Sequence, residues 1–358
     1  MRVCVVTGSR SEYGILEPLI TRFTNDSEVD TLLLVTGSHL SPEFGMTINQ
    51  IEPRDWLYIE QIETLLSSDT PIGTCKSMGL GLISFAETLT RLGPDLVVIE
   101  GDRFEMVAVA LAAYTLQIPI AHISGGDVTR GSLDDAYRDC ITRMSTLHFT
   151  DTQQALERVS KILGGLGNMS SEHSDRVHYV GCLSLEGVTK YEGERSGALV
   201  MLHPANDITT KTVHAVIHAL PNSFINFTLP CADAGGAYLR TAINSAIART
   251  PTIAWQPNRP RRNFLDVLAT RELVIGNSSA GIVEAPALGT PTINIGSRQD
   301  GRPRASSIID CEPNGEAIRV AIEKLHSEEF QESLKNIQLA YMGGNVSEKI
   351  VNYIKEWW

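Results

Sequence analysis

The chain has 358 residues, 42% of them hydrophobic and 20% charged, with a formal net charge of -12. That length exceeds what one core sustains and predicts two domains of roughly 170 residues, and the composition is that of a globular protein, neither disordered nor fibrous. The acidic balance excludes a broad nucleic-acid or anionic-membrane surface, and no apolar stretch approaches the roughly 20 residues of a membrane span.

The amino terminus, MRVCVVTGS, enters directly on an apolar strand and carries no cleavable signal. Six cysteines, at 4, 75, 140, 182, 231 and 311, form neither a CxxC pair nor metal-type spacing, which fits a reduced, cytoplasmic setting. Residues 2 to 7 read as a buried strand, 8 to 14 as a loop, 15 to 23 as a helix and 31 to 35 as a second strand, a βαβ opening. Arg10 lies in the first strand-to-helix loop, where doubly wound sheets gather anionic ligands; an exposed surface arginine is the alternative.

Residues 67 to 74 read as a mobile polar loop and 78 to 92 as an amphipathic helix. The strand at 96 to 99 ends in Glu100-Gly101-Asp102-Arg103-Phe104-Glu105, and the strand at 118 to 123 ends in Ser124-Gly125-Gly126-Asp127. Asp134-Asp135 then leads a helix that carries Arg138. Carboxylates thus recur at adjacent strand ends, and acid–base chemistry needs two such groups in different protonation states on one substrate; Asp102, Asp127 and Asp134 can supply them. A turn role for Asp127 and a helix cap for Asp134 are the alternatives. His122 has no second histidine at ligand spacing, so no metal is expected. Strands at 147 to 150 and 177 to 181 flank an exposed Gly/Ser loop, GGLGNMSSEHSD.

Polar residues and glycines at 191 to 197 mark a boundary, giving a first domain at 1–192, a second at 193–344 and a closing amphipathic helix at 345–358 that packs back across the hinge. The second domain restarts the pattern with a strand at 199 to 202 that ends at His203, a residue suited to holding phosphate or moving a proton, or to a structural hydrogen bond. A helix at 209 to 219, a strand at 223 to 228, a helix at 236 to 249 and a strand at 273 to 275 follow. VIGNSSAGIVEAPALGTPTINIG, at 274 to 296, reads as strand, small-residue loop, helix and strand. Asn277, Ser278, Ser279 and Gly281 then form a phosphate cradle at a helix start, and Glu284 in its first turn accepts from a ribose diol; simple capping is the alternative. Arg298, Arg302 and Arg304 are the local cations an anionic ligand needs in so acidic a chain.

GDRFE at 101 to 105, HISGGD at 122 to 127, DDAYR at 134 to 138, VIGNSSAGIVEAPALG and INIGSRQDGR at 293 to 302 together resemble the hydrolysing UDP-N-acetylglucosamine 2-epimerases of sialic and related nonulosonic acid biosynthesis. TGSRSEYG at 7 to 14 and SSDTPIGTCKSMGLG at 67 to 81 are similar too, so the resemblance covers nearly the whole chain. It implies an α/β, GT-B-like fold of two doubly wound Rossmann-like domains facing a central cleft, no metal or cofactor, a UDP-sugar substrate and a homodimer or homotetramer. It also implies loss of UDP with removal of the C2 proton, then hydration of a 2-acetamidoglucal to N-acetylmannosamine or a relative. Asp102, Asp127 and Asp134 match the acid–base carboxylates, with base and acid unassigned, and His203 and Arg10 the phosphate or leaving-oxygen contacts. Ser278, Ser279, Gly281 and Glu284 match the UDP loop. Asp127 is one methylene shorter than the Glu many members carry in HxxGGE, and some relatives place the carboxylate nearer Ser124. The same chemistry on UDP-N,N'-diacetylbacillosamine, a GT-B glycosyltransferase and a non-catalytic nucleotide-sugar module are the rival readings.

Overall fold

The computed structural model describes all residues except 53–56, 165–174, 222, 231–234 and 257–258. It forms two compact units, one of Met1–Asp127, Leu133–Gly187 and Met342–Trp358, the other of Val128–Ser132 and Val188–Tyr341. The polar stretch at 191 to 197 lies just inside the second unit. Most of the Gly/Ser segment at 164 to 175 falls outside the described residues. No helix among the described residues is long and apolar enough to cross a membrane.

The first unit holds strands β1 (Arg2–Thr7), β2 (Asp30–Thr36), β3 (Leu57–Ile62), β4 (Leu96–Glu100), β5 (Ile120–Ile123), β6 (Leu147–Thr150) and β7 (Val177–Tyr179). All are parallel, in the order β3-β2-β1-β4-β5-β6-β7. Helices α1 (Arg10–Asn25), α2 (Pro71–Leu92), α3 (Phe104–Thr115), α4 (Asp134–Met144) and α5 (Gln153–Gly164) connect them. The sheet is buried on both faces, which is why its strands read as continuous apolar runs. Val3, Val5, Leu33 and Val98 meet Leu16, Ile20 and Phe23 of α1 on one face, while Cys4, Val6, Leu34 and Val97 meet Phe85 and Leu89 of α2 and Met106 of α3 on the other. The C-terminal helix Val346–Trp357 joins the α1 layer, burying Val346, Ile350 and Ile354 completely. Each such side chain contributes about 1.5–3 kcal/mol.

Two helix starts differ from expectation. The first helix begins at Arg10, since Ser9 caps it by accepting from Glu12 N at 3.4 Å, and it runs on through Gly14 and Pro18. Arg10 is therefore the opening residue of a helix, still at the end of β1. Helix α2 begins at Pro71 with Thr70 accepting from Gly73 N, so only 67 to 70 of the expected loop remain outside the helix. Thr before Pro supplies both an N-cap and a preset first turn.

The second unit repeats the plan with β8 (Ala198–Met201), β9 (Ile225–Phe227), β10 (Ile253–Trp255), β11 (Leu273–Gly276), β12 (Thr292–Ile295) and β13 (Ile308–Cys311), ordered β10-β9-β8-β11-β12-β13. Both sheets are thus doubly wound, and the order reverses between β1 and β4 in one and between β8 and β11 in the other. Ligands of such sheets bind beyond the carboxyl ends of the strands at that reversal.

Candidate active site

At the reversal in the first sheet stand Arg10, after β1, and Asp102, after β4; the Glu100–Ile123 register sets the Ser124–Asp127 turn alongside. Arg138, 1% exposed, organises this edge from α4. Its Nη2 donates to Asp102, and its Nη1 donates to Asp127 O at 2.6 Å and to Asp135 Oδ1 at 3.4 Å. Arg158 of α5 adds a bond to Asp127 O at 3.0 Å and a pair with Asp139 at 2.8 Å. Two guanidiniums thereby fix the backbone of the HISGGD turn, whose Gly126 has φ 86° and lies so near α5 that a Cβ would come within 2.3 Å of Ala155 O. Asp127 is 4% exposed. Asp134 is the first residue of α4 and not its cap, a position that falls to Leu133.

Three further groups belong to this edge, of which His39 and Glu12 escaped the sequence reading and His122 entered it only as a metal-ligand candidate. His122 Nε2 lies 2.8 Å from Gly101 O and Nδ1 3.1 Å from Thr142 Oγ1, tying β5 to the loop that presents Asp102. Burial pushes this imidazole down to about 4, so it is neutral. His39 is likewise pushed down to about 4 by burial, between Thr7 and Thr47. Glu12 is 5% exposed, accepts from Gly8 N at 2.7 Å and faces Arg103, which also grips Glu105. Burial pushes the Glu12 carboxyl up to about 7, against the Arg103 charge. Arg10 is held below its usual value by burial. The signal for Glu12 was its place two residues after Arg10 in the first strand-to-helix turn; the partners of His122 are fixed only by the fold.

In the second unit the reversal gathers His203, after β8, with the 277–284 turn, after β11, and the 297–302 turn, after β12. Asn277 is fully buried and clamps His203: its Oδ1 accepts from His203 N at 2.7 Å and its Nδ2 donates to His203 O at 2.9 Å. Asn277, expected as a ligand contact, thus uses both polar atoms of its side chain on the His203 backbone. Arg298 and Gln299 donate to Asn277 O at 3.1 and 2.9 Å. Arg302 lies on the same turn, its carbonyl bound by Arg304, which also pairs with Asp310.

The long helix expected after the cradle is absent. Ser279–Gly281 is a 3-10 turn and Glu284–Ala287 a single α turn, so the dipole available to a phosphate is short. Ser278 occupies the N-cap position without a side-chain capping bond, and Ser279 is exposed. A Cβ on Gly281 would come within 2.9 Å of Thr292 on β12, so this turn packs closely on that strand. Glu284, 6% exposed, faces Arg261 at 3.3 Å, a cation that the sequence reading did not place. Segment 128–132 belongs to this unit, Arg130 N donating to Asp300 O at 3.0 Å.

A family model for UDP-N-acetylglucosamine 2-epimerase matches residues 21–355. A Campylobacter jejuni GDP/UDP-N,N'-diacetylbacillosamine 2-epimerase (hydrolysing) is 33% identical, covering 93% of this chain and 89% of its own. A Legionella pneumophila UDP-N,N'-diacetylbacillosamine 2-epimerase (hydrolysing) is 28% identical, covering 99% and 95%. Among solved structures, the UDP-GlcNAc 2-epimerase of Neisseria meningitidis bound to UDP-GlcNAc superimposes with a TM-score of 0.77 at 18% identity, over 99% of this chain and 100% of that one, which makes the fold GT-B-like. With its motifs, its paired doubly wound sheets and a match over nearly its full length, the chain belongs to the UDP-N-acetylglucosamine 2-epimerase family.

Proposed function

We propose that the protein is a hydrolysing UDP-sugar 2-epimerase that takes UDP-N-acetylglucosamine to UDP and N-acetylmannosamine. The C2 proton is removed as the C1–O bond to UDP breaks, leaving a 2-acetamidoglucal; water then adds its hydroxyl at C1 and a proton returns to C2 from the other face. The observation that carries this reading is buried Arg138, which holds the carboxylate of Asp102 after β4 and the backbone of Asp127 after β5. A C2 proton is weakly acidic, so its base must be desolvated and held still, while cationic donors stabilise the departing diphosphate.

Asp102, Asp127 and Asp134 are assigned to proton transfer at C2 and to the leaving oxygen. Arg10 and His203 are assigned to the diphosphate, with Asn277 positioning His203. Ser278, Ser279 and the Gly281 turn cradle UDP, Arg298 and Arg302 add charge, and Glu284 accepts from the ribose while Arg261 steadies it. The described cysteines are all free, which supports action in the reducing cytoplasm. Exposed Ile72, Ile83 and Tyr114 on α2 and α3 support assembly as a homodimer or homotetramer.

A second reading keeps the chemistry and changes the sugar to UDP-N,N'-diacetylbacillosamine, and the 33% identical relative favours it. Each UDP-sugar is incubated alone with the protein, and UDP and free sugar are measured. Equal release of the two without any acceptor is expected, and the larger kcat/KM names the sugar. UDP release that requires an acceptor would make the protein a glycosyltransferase, and binding without turnover would make it a nucleotide-sugar module.

A further inference from the structure

The carboxyl edge of the first sheet holds a further acid, besides Glu12 and Glu105, to which the proposed reaction gives no part. Asp151 directly follows β6 and is 5% exposed. Its Oδ1 accepts from Ser124 Oγ at 3.1 Å and its Oδ2 from Cys182 Sγ at 3.4 Å. Ser124 directly follows β5, and the Ile123–Phe149 register sets the two residues side by side. On its other flank, the Glu100–Ile123 register and the Gly101 N to Ile123 O bond of 3.1 Å bring it against the Gly101–Asp102 loop. Ser124 also holds φ 63°, a left-handed conformation that favours glycine. Strained non-glycine residues of this kind persist where their surroundings fix them and cluster at ligand sites. A glycine would fit the turn more easily, so the hydroxyl is the reason to have serine there.

We infer that Ser124 contacts the sugar and that Asp151 positions it, an inference that rests on the epimerase reading. Asp151 takes the hydroxyl proton of Ser124, so the serine oxygen is left with lone pairs to offer. It is then an acceptor, matched to a hydroxyl or amide N–H of a 2-acetamido sugar and blind to the UDP half of the substrate. The half-buried position, one residue from the strand end and next to Asp102, places that acceptor among the groups assigned to proton transfer.

The test uses the full-length protein with its UDP-sugar. Ser124→Gly relieves the backbone strain, so its melting temperature is expected at or above that of the wild type, while kcat/KM falls about tenfold or more for want of the acceptor. Inhibition by UDP alone stays unchanged, because UDP does not reach this residue. Asp151→Ala removes the acceptor, frees the serine proton to turn outward and also lowers kcat/KM; made in the Ser124→Gly background it adds less than about a twofold further change, because both substitutions remove one interaction. A Ser124→Gly protein with wild-type kcat/KM, or losses that multiply in the double variant, would overturn the inference and leave the epimerase reading standing. Wild-type protein that turns over neither UDP-sugar would overturn that reading, and this inference with it.

Discussion

Arg138→Met keeps much of the aliphatic stem of the residue that organises the first unit's edge and deletes its charge. The guanidinium is 1% exposed and holds Asp102, Asp135 and the carbonyl of Asp127. Breaking a buried ion pair costs about 3–5 kcal/mol when the abandoned charge stays dry. Here the side chains of Asp102 and Asp135 retain 20% and 24% exposure, so water reaches both, and Asp127 O keeps Arg158. The expected loss is therefore about 2–3 kcal/mol, below the fully buried range. Because two units need not unfold together, it is best read locally, as amide exchange in α4 that is roughly 30- to 150-fold faster. Turnover should fall on the order of 100-fold, since a carboxylate displaced by about 1 Å loses that much. Arg138→Lys restores charge without the fork and should recover more of the exchange protection than of the turnover. Unchanged α4 exchange together with near-normal kcat would refute the reasoning.

Asn277→Ala strips two buried hydrogen bonds from the His203 backbone and is expected to cost about 2–4 kcal/mol in the second unit, with weaker UDP binding; calorimetric titration with UDP checks it. Glu284→Ala removes the proposed ribose acceptor and leaves Arg261 without that carboxylate, so product inhibition by UDP should weaken, and an unaltered inhibition constant would count against the assignment. His39 and His122 are held neutral, near 4 against 6.5, so the unfolded chain binds protons that the folded one does not, and each withdraws up to about 3 kcal/mol as pH falls from about 6.5 towards 4. Glu12 acts oppositely: raised from 4.5 to about 7, it favours the fold below its unfolded value and loses up to roughly 3 kcal/mol as pH rises through that interval. Glu12→Gln should accordingly raise the melting temperature at pH 8 and leave it nearly unchanged near pH 4; an equal gain at both would show that ionisation is not the cause.

The strands of both sheets were legible where burial on two faces left unbroken apolar runs, as at 2 to 7 and 96 to 99. Thr70-Pro71 carried a start signal for α2 that the surrounding serines and glycines obscured. The segment after Ser279 reads as one helix because Ala and Val fill it, yet Pro286 lies within the single turn that forms and Gly281 packs on Thr292, a contact that no local pattern reveals. Candidate carboxylates could be found because strand ends are predictable from periodicity. Their partners could not: Arg138 meets Asp102 across 36 residues and Asn277 meets His203 across 74. Such pairings follow from strand order, which sequence spacing does not encode. The bonds from Asn277 to the His203 backbone were hidden for that reason, since a polar side chain in a loop gives no hint that a neighbouring strand end will claim it.

The central claim is that UDP leaves as the C2 proton is taken from the sugar, and isotope exchange tests it most directly. Incubated in deuterated water with its UDP-sugar alone, the protein should release UDP and a free sugar carrying deuterium at C2 with inverted configuration. A free sugar that keeps its original hydrogen at C2 would mean simple hydrolysis, and the assignment of Asp102, Asp127 and Asp134 to proton transfer at that carbon would be wrong.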